Sequence, residues 1–579
     1  MIWKLKEAAP PEFISGFPEY SLATLNLLYH RQIKMQQQID EFFNPDYEQD
    51  IHDPFLMLGI GEAVKRINQA IKKDELIAIF GDYDADGVCG SVILKTVLEK
   101  LGAKVGKVYI PNRLKEGYGL SEESIKEAAN QGVKLILTVD CGISCVSEIE
   151  LANSLGVEVV VTDHHQIGKI LPKAKVIVNP WQKEDEYPFK ELAGAGVAFK
   201  LVQALLKKHK TIAVGWEKWL LDLVALATVA DCMPLLGENR TLVRYGLIVL
   251  AQTKRAGLQE LMKIARLNPV FETEKLATNL DTYSLGFVLA PRLNAAGRIE
   301  HADLALDLLL EQDREKARAM AQKIDNYNRQ RQKTTEEIVM EIESRIKKKV
   351  FDKNKPFVVE ASKNWSPGII GLVAGKISDR HCRPTIIFSE TENGCLRGSA
   401  RSVAGFNLIE AIGECRDLLV QFGGHPGAAG LEIKKENLLA FEEKINKFAG
   451  KKLKDRDLAP VLEIDSELEA NDISWVLFDE LVKFEPFGKN NEAPIFLAKD
   501  FSISSLRVVG NGSKHLKLEL KSENLPQKSF KAIGFGLVKN GGADLKIGDR
   551  VDLVFEILKD EWNGRRDLQL KIKDIKKIN

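Results

Sequence analysis

Three carboxylates close together in sequence, Asp82, Asp84 and Asp86, are the residues of this chain best suited to chemistry. They follow the apolar run 76–80, which is typical of a buried strand, and precede apolar positions with helical spacing over 88–101. Negative charges crowded into one turn repel one another, and a divalent cation is the usual means of cancelling that repulsion. The stretch therefore predicts a metal site between a strand and a helix.

Two other interpretations fit the same acids. A calcium loop of the EF-hand type would need flanking helices and a bidentate Glu at its twelfth position, where this chain has Ile93. An ordinary solvated loop would need no ion at all. Gly81 and Gly87 flank the acids, and the absence of a Cβ there permits a left-handed or closely packed turn. The metal site is the preferred interpretation.

Two further strand-like runs also end in ionisable residues. Residues 133–139 lead to Asp140, and residues 157–162 lead to the Asp-His-His string 163–165. Strands that alternate with helices form a parallel sheet, and ligands bind outside the carboxyl ends of such strands. A single Asp at a strand end is more often a helix cap, but three such clusters on successive strands favour one shared cleft.

A fourth acid, Asp231, ends the wholly apolar run 223–230. An isolated acid in that position should be buried, and buried carboxylates are paired or bind metal.

The bulk composition excludes several classes of protein. The 579 residues suggest about three or four domains, and 82 basic against 82 acidic residues give no global preference for nucleic acid. Seven scattered cysteines without CxxC pairs predict reduced thiols and a cytoplasmic location. We expect neither a signal peptide nor a membrane span, because no sufficiently long apolar run is present.

The C-terminal part, 459–579, has a different character. Its short segments alternate apolar and polar residues, and Asn511-Gly512 and Asn563-Gly564 are predicted hairpin turns. This pattern predicts a small β-barrel, and an OB-fold would suit single-stranded nucleic acid through a basic groove and stacking aromatics.

Four strings resemble, in order, the motifs of the DHH phosphoesterase superfamily: Asp-Tyr-Asp-Ala-Asp-Gly at 82–87, Val-Asp-Cys-Gly at 139–142, Asp-His-His at 163–165 and Thr-Val-Ala-Asp at 228–231. The resemblance implies a phosphodiester hydrolase with two Mn²⁺ or Mg²⁺ ions. It implies that the metal ligands are Asp84, Asp86, Asp140, His164 and Asp231, with Asp82 a ligand or an outer group.

The same resemblance assigns roles around the ions. Asp140 would bridge them, and His165 would contact the phosphate. Asp163 would orient a ligand imidazole, as metal-bound histidines require.

Other strings resemble one branch of the superfamily, the RecJ family of single-strand-specific exonucleases. They are Ile-Pro-Asn-Arg at 110–113, Glu-Gly-Tyr-Gly at 116–119 and Leu-Ala-Pro-Arg-Leu-Asn-Ala-Ala-Gly-Arg at 289–298. From chemistry alone, the two arginines of the last string, expected around a Gly-bearing turn, are equally suited to binding phosphates and to bracing the domain.

Residues 365–374, 397–402 and 422–430 resemble, in order, the DHHA1 domain that accompanies the DHH core. We expect the last two strings to form Gly-rich phosphate-binding loops. One departure is Ser366, where the family pattern has His after Trp365. The resemblance implies that Arg113, Ser399 and Arg401 hold a terminal 5′-phosphate. The full set implied to contact nucleic acid is Arg113, Tyr118, Arg298, Ser399, Arg401, Gly424 and His425.

The predicted fold is therefore a multidomain α/β protein with a parallel-sheet DHH domain, a long connecting helix, an α/β DHHA1 domain and a C-terminal OB barrel. The expected domains are an N-terminal arm with one or two helices (1–50), the DHH domain (51–302), connecting helices (303–350), the DHHA1 substrate-binding domain (351–458) and the OB-fold (459–579).

The predicted function is 5′→3′ hydrolysis of single-stranded DNA to 5′-mononucleotides in recombination and repair. The expected partners are a single strand with a 5′ end, a helicase and a single-strand-binding protein, with no membrane and a monomeric state. Two alternatives are a phosphodiesterase for short oligoribonucleotides or cyclic dinucleotides and a catalytically silent replication scaffold. Intact acids in all four motifs disfavour the scaffold.

Overall fold

The computed structural model describes residues 1–113, 116–209, 212–348, 355–391, 393–453, 459–510, 512–539, 542, 544–562 and 565–578. The chain divides into two compact units. One contains Met1–Asp46, Pro234–Leu236 and Ala459–Asn579, and the other contains Tyr47–Met233 and Gly237–Leu458.

The N-terminal arm is richer in structure than predicted. Its described residues form β1 (Ile2–Leu5), α1 (Pro11–Gly16), α2 (Leu22–His30) and α3 (Gln36–Phe43) instead of one or two helices alone. The strand pairs in parallel with Val461–Ile464 near the start of the C-terminal part. Since this strand is largely exposed and only four residues long, its sequence carries little alternation of polar and apolar side chains.

A parallel sheet forms the centre of the DHH region, as predicted. Its strands are β2 (Ile77–Gly81), β3 (Val105–Tyr109), β4 (Leu135–Val139), β5 (Glu158–Thr162) and β6 (Val176–Val178). Within the described residues they lie in the order β3-β2-β4-β5-β6, and every neighbouring pair is parallel. β2 and β4 are buried along their whole length, which explains their continuous apolar sequence.

The helices of this region are α4 (Ile60–Lys72), α5 (Ala85–Lys100), α6 (Glu122–Asn130), α7 (Val146–Ser154), α8 (Gly194–Lys207), α9 (Leu221–Ala230), α10 (Gly237–Ala251) and α11 (Ala256–Ile264). α5 begins three residues before the predicted start because Asp84 caps it, accepting hydrogen bonds from the N–H groups of Asp86 and Gly87. Gly102 follows this helix with a positive φ of 79°. Gly87, in contrast, is needed for a close approach, since a Cβ there would lie 2.4 Å from the Asp82 nitrogen.

The arginine-bearing string 289–298 is helical, and the predicted turn is wrong. A short hairpin, β7 (Phe271–Glu272) and β8 (Ala277–Thr278), is followed by the π-helix Ser284–Leu289 and then by α12 (Ala290–Ile299). Pro291 lies in the first turn of α12, where its missing N–H is tolerated. Two further helices, α13 (Asp303–Leu310) and the long α14 (Arg314–Lys348), lead to the DHHA1 region.

The DHHA1 region has a second α/β architecture. Its elements are β9 (Val358–Ser362), α15 (Ile370–His381), β10 (Thr385–Glu390), β11 (Cys395–Arg401), α16 (Leu408–Gly413), β12 (Leu419–His425), β13 (Ala428–Lys434) and α17 (Leu438–Lys452). Among described residues the strand order is β12-β13-β11-β10-β9. The strings 397–402 and 422–430 lie mainly on β11, β12 and β13, so the predicted Gly-rich loops are wrong. Their small residues allow close packing, since a Cβ on Gly398 would lie 2.5 Å from the Phe388 ring.

The predicted C-terminal barrel is confirmed. Its elements are β14 (Val461–Ile464), β15 (Ser466–Glu467), α18 (Trp475–Val482), β16 (Phe496–Val509), β17 (His515–Ser522), β18 (Ser529–Gly534), β19 (Arg550–Trp562) and β20 (Arg565–Lys577). In the described part of the chain, five strands in the order β16-β17-β18-β20-β19 close because β19 also pairs with β16. Asn511 and the Asn563-Gly564 turn lie outside the described residues.

Candidate active site

The acids predicted to share one cleft do meet, around the imidazole of His164. Its Nε2 lies 3.1 Å from Oδ1 of Asp140, 3.6 Å from Oδ2 of Asp231 and 3.8 Å from Oδ2 of Asp86. Asp86 lies in the first turn of α5, Asp140 directly after β4, and Asp231 at the end of α9. Residues 145 positions apart in sequence therefore reach one point, where parallel strands supply Asp140 and His164 and helices supply Asp86 and Asp231.

Three groups of possible ligands among the described residues meet around Asp140 and His164. Within each group the candidate ligand atoms all lie within 4.8 Å of one another. Two groups share the Asp140 carboxylate, namely Asp82, Asp84 and Asp140, and Asp140, His164 and His165. The third, Asp86, His164 and Asp231, shares the His164 imidazole, which Asp140 also contacts. Sites spaced in this way suit a pair of cations that share one carboxylate. The individual ligand assignments remain predictions.

The electrostatics of the cluster favour a divalent cation. Burial, followed by the neighbouring carboxylates, raises the pKa of Asp82, Asp86 and Asp140 well above the ordinary value. Burial lowers the pKa of His164 to about 4, so its ring is neutral and free to act as a ligand. Among the described residues, Oδ1 of Asp82 and Nε2 of His164 are buried without a hydrogen-bond partner. Carboxylates that repel one another, and possible ligand atoms that lack a hydrogen-bond partner, are suited to binding Mn²⁺ or Mg²⁺.

The amino terminus of α8 holds Asp86 in place. The N–H groups of Gly194 and Ala195 each donate a 2.7 Å hydrogen bond to the Asp86 carboxylate. Free N–H groups at a helix start stabilise an anion, so this carboxylate is oriented before any ion binds. Sequence reasoning missed Gly194. The Ala-Gly-Ala-Gly string at 193–196 was the available signal, since it allows a close backbone approach.

Replacing Gly194 by Ala is expected to weaken Mn²⁺ binding at least about tenfold. A Cβ at this position would lie 2.5 Å from the Asp140 Cβ and 2.8 Å from its Cα, so the carboxylate shared by two of the ligand groups has to move. Isothermal titration with Mn²⁺ measures the change. Gly61→Ala is the matched control, because nothing lies within 4 Å of its Cβ position on α4. Equal affinities of the two variants would contradict this explanation.

Asn294, on another helix, supports the loop that carries Asp84 and Asp86. Its Oδ1 accepts a 2.7 Å hydrogen bond from the N–H of Ala85, between Asp84 and Asp86. The residue lies on α12, more than 200 positions from the loop. It belongs to the RecJ-like string 289–298, but nothing in its own residue type had marked it as functional.

Asp163 contacts a different imidazole from the predicted ligand His164. Its Oδ1 lies 2.8 Å from Nδ1 of His165, while its other oxygen accepts from the N–H of Ile143. The ring of His164 is instead hydrogen-bonded to the backbone of Leu192. Leu192 lies in a loop, and the sequence alone did not predict that it would lie near His164. Although burial opposes protonation, the Asp163 contact raises the pKa of His165 to about 9. His165 is therefore cationic at neutral pH.

Tyr118 connects these groups to the backbone of Asp140. Its hydroxyl donates a 2.8 Å hydrogen bond to the Asp140 carbonyl oxygen and lies 3.1 Å from Nδ1 of His165. Asp140 has a left-handed backbone with φ of 59°, an uncommon conformation for a non-glycine residue. Tyr118 thus supports a strained position that carries the central carboxylate.

A local cationic group is formed by four arginines from separate segments, Arg113, Arg298, Arg331 and Arg401. Burial and then Arg113 lower the pKa of Arg401, and burial, Arg113 and Arg331 lower the pKa of Arg298 to about 9. Nη1 of Arg401 lies 3.5 Å from Oγ of Ser399. Asp82 and Asp84 of the acid cluster act on Arg113 and Arg298. Several guanidinium groups in one region still form a favourable site for an anion.

The remaining predicted contacts lie on the DHHA1 sheet. Arg401 and His425 are register partners of the same residue, Ala428, from its two sides. His425 is exposed at the end of β12, and Gly424 before it has φ of 144°. His425 on β12 and Arg401 on β11 thus lie at the same end of their strands, with β13 between them.

Three segments of this chain match models of known domain families, and they define its class. Models of the DHH family N-terminal domain, the DHHA1 domain and the RecJ OB domain match residues 76–228, 354–451 and 464–574. A parallel-sheet DHH domain with four acid-bearing motifs, followed by DHHA1, defines a DHH-type protein.

Similarity to individual proteins identifies the family within this class. The single-stranded-DNA-specific exonuclease RecJ of Bacillus subtilis is 40% identical over 91% of this chain, which spans 64% of that relative's length. The RecJ of Haemophilus influenzae is 32% identical, with 91% of this chain and 92% of the relative covered. The chain belongs to the RecJ family.

Solved structures agree with this assignment. The structure of RecJ from Thermus thermophilus in complex with Mn²⁺ matches with a TM-score of 0.82 at 28% identity, covering 100% of this chain and 80% of the other. The Mg²⁺ complex of the same protein matches with a TM-score of 0.76 at 26% identity. The predicted cofactors, Mn²⁺ or Mg²⁺, therefore agree with the metals of homologous structures. No helix in the described part of the chain is long and apolar enough to cross a membrane.

Proposed function

We propose that this protein is a metal-dependent exonuclease that hydrolyses single-stranded DNA from its 5′ end and releases 5′-mononucleotides. Membership of a family whose curated relatives are named single-stranded-DNA-specific exonucleases supports the substrate. The single observation that carries the chemistry is the convergence of Asp86, Asp140 and Asp231 on Nε2 of His164.

The proposed ligands are the groups that surround Asp140. Asp86, His164 and Asp231 would hold one cation, Asp82 and Asp84 would hold the other, and Asp140 would be shared between them. Two divalent ions bound there supply Lewis acidity to the attacking water and to the leaving oxygen. The protein itself keeps the carboxylates oriented through the α8 amino terminus, Asn294 and Tyr118.

His165 is proposed to contact the phosphate that is being cut. Its contact with Asp163 keeps it protonated and fixes its ring, and the Tyr118 hydroxyl lies against the same nitrogen, Nδ1. A fixed positive charge can stabilise the negative charge that develops on phosphate oxygens in the transition state. Asp163 and Tyr118 are thus positioning residues.

The cationic group is proposed to select the end of the strand. Arg113, Ser399 and Arg401 hold a terminal 5′-phosphate, with Arg298 along the strand and Gly424 and His425 at the nearby sheet edge. A guanidinium grips phosphate oxygens with two parallel hydrogen bonds. Because the anchor lies at a fixed distance from the acids, cleavage would start from that end and release one nucleotide at a time.

Arg401→Gln is expected to remove most of the preference for a 5′-phosphorylated end. Loss of one charge-assisted phosphate contact should lower kcat/KM about 10- to 100-fold on a 5′-phosphorylated strand and little on a 5′-hydroxyl strand. Single-turnover digestion of both substrates measures the ratio. Arg397→Gln is the control, since it changes the charge on the same strand, β11, four residues away. An equal loss on both substrates would contradict end recognition.

We extend the proposal to the domains and the cellular setting. The boundaries 51–302, 303–350, 351–458 and 459–579 separate the DHH core, the connecting helices, the DHHA1 domain and the strand-binding OB barrel. We propose that the protein acts as a monomer in the cytoplasm, in recombination and repair, on strands supplied by a helicase and a single-strand-binding protein. Its seven free thiols support a reducing compartment.

The test is digestion of end-labelled DNA and RNA, with or without a 5′-phosphate, in Mn²⁺, Mg²⁺ or chelator. The proposal expects metal-dependent release of mononucleotides from the 5′ end of single-stranded DNA. Release from the 3′ end, activity in chelator, or consumption of di- to tetranucleotides alone would each contradict it.

A further inference from the structure

Two aromatic rings stand exposed and stacked on a helix beside the candidate active site. Tyr283 and Phe287 are 63% and 72% exposed. Their ring centroids lie 5.2 Å apart, and the ring planes are 18° from parallel. Large aromatic side chains are usually buried, so an exposed and ordered pair suggests a ligand. Neither residue has a role in the chemistry proposed above.

One end of this helical stretch lies close to Asp231. Tyr283 immediately precedes the π-helix Ser284–Leu289, and Phe287 lies on it, one residue after Gly286. This type of turn often occurs at functional sites. A Cβ at Gly286 would lie 3.2 Å from Cγ1 of Val229. Val229 belongs to the last turn of α9, two residues before Asp231. The helical stretch that carries the aromatic pair therefore packs against the last turn of α9, the helix that ends at Asp231.

The other end of the stretch contacts the loop that carries Asp84 and Asp86. α12 continues directly from the π-helix, and Asn294 contacts the loop between Asp84 and Asp86. Arg298, one turn further, belongs to the cationic group around Arg113. Phe287 and Asn294 are seven residues apart, or about 10 Å along a helix. The stretch thus runs from the aromatic pair, past the acids, to the proposed phosphate anchor.

We infer that Tyr283 and Phe287 form a stacking platform for a base of the single strand downstream of the bond that is cut. This inference rests on the proposed function. With the terminal phosphate at the arginines and the first linkage at the acids, the uncut part of the strand would leave towards the end of α9, against which the stretch that carries the rings packs. Every base has an aromatic face, so stacking holds the strand whatever its sequence.

The platform would also act between successive cuts. When a mononucleotide leaves, the terminal contacts are lost, while a stacked downstream base still holds the strand. The strand can then advance by one nucleotide without dissociating. We therefore expect the aromatic pair to increase the number of nucleotides removed in one binding event.

The experiment compares two double variants of the full-length protein. Tyr283→Leu/Phe287→Leu keeps an exposed apolar surface but removes the rings, and Tyr283→Phe/Phe287→Tyr keeps both rings. Binding of a fluorescent 5′-phosphorylated DNA 12-mer in EDTA is expected to be about tenfold weaker for the Leu variant and within about twofold of wild type for the ring-preserving variant. Unchanged thermal transitions of both variants confirm their folding.

A second measurement locates the contact. The fluorescent base 2-aminopurine, placed at one position at a time along the 12-mer, is expected to be quenched by the wild-type protein at one or two positions near the 5′ end. The Leu variant should lose this quenching, and the ring-preserving variant should keep it.

The outcomes separate the platform from the proposed function. If the Leu variant bound the strand as tightly as the wild type and quenched 2-aminopurine equally, the platform alone would be overturned. Equal loss in both variants would also overturn it, because the rings would then not be the relevant feature. If the wild-type protein neither bound nor degraded the strand, both proposals would fail.

Discussion

An Asp140→Asn variant is expected to lose at least about a thousandfold in exonuclease activity, because the carboxylate shared by two of the ligand groups becomes a neutral amide. Its metal-free form should nevertheless be more stable than the metal-free wild type by about 1 to 3 kcal/mol at neutral pH. Asp140 is buried among Asp86, Asp84 and Asp82, and its raised pKa means that ionisation of its side chain costs stability. Asn keeps the shape and tolerates the left-handed backbone.

Urea unfolding in chelator and in Mn²⁺ tests both parts of this prediction. In chelator the variant should unfold at a higher urea concentration than the wild type. In Mn²⁺ the order should reverse, since only the wild type binds the ions fully. Ser144→Ala, on the exposed part of the following turn, serves as the control. Wild-type activity in the Asn variant would exclude Asp140 as the central ligand.

Replacing Lys200 by Met is expected to lower the free energy of unfolding by about 3 to 5 kcal/mol. Nζ of Lys200 donates to Oε1 of Glu238 at 2.6 Å and to the His52 carbonyl oxygen at 2.7 Å. Both charged side chains are fully buried, and Tyr187 donates to the other oxygen of Glu238. Removing the ammonium leaves a buried, uncompensated carboxylate, which is the costly half of the change.

The double variant Lys200→Met/Glu238→Gln separates this cost from lost packing. Its stability should recover more than half of the loss, because neither charge remains buried alone. Lys207→Met is the matched control on the same helix. Its ion pair with Asp53 at 2.9 Å is half exposed, so less than about 1 kcal/mol should be lost. Equal losses for Lys200→Met and Lys207→Met in thermal and urea unfolding would refute the argument.

The site could be predicted where its residues follow strands of one parallel sheet. Asp82 and Asp140 directly follow β2 and β4, and His164 is the second residue after β5. The apolar sequences of these strands mark them as buried neighbours. Once the strands are parallel, their carboxyl ends meet without any further information. That is why residues far apart in sequence were expected together and were found within a few ångströms of one another.

Residues that reach the site from other elements were not predictable in the same way. Gly194 acts through its backbone N–H, and Asn294 through one hydrogen bond from a helix, so neither residue type indicates its role. The mistaken turn at 289–298 has a similar cause. Pro and Gly usually interrupt helices. Here Pro291 lies in the first turn of the helix, where it is tolerated. Gly297 packs closely, since a Cβ on it would lie 3.0 Å from the Tyr83 carbonyl oxygen.

The pairing of β1 with β14 has a consequence for biosynthesis. The compact unit that contains the barrel is assembled from residues at both ends of the chain, and a register such as Trp3 with Leu462 joins positions more than 450 residues apart. During translation the first 46 residues emerge from the ribosome long before their partners exist, while the intervening unit has all of its own residues. The order of synthesis therefore lets the catalytic unit fold first and leaves closure of the barrel unit as a late, long-range step.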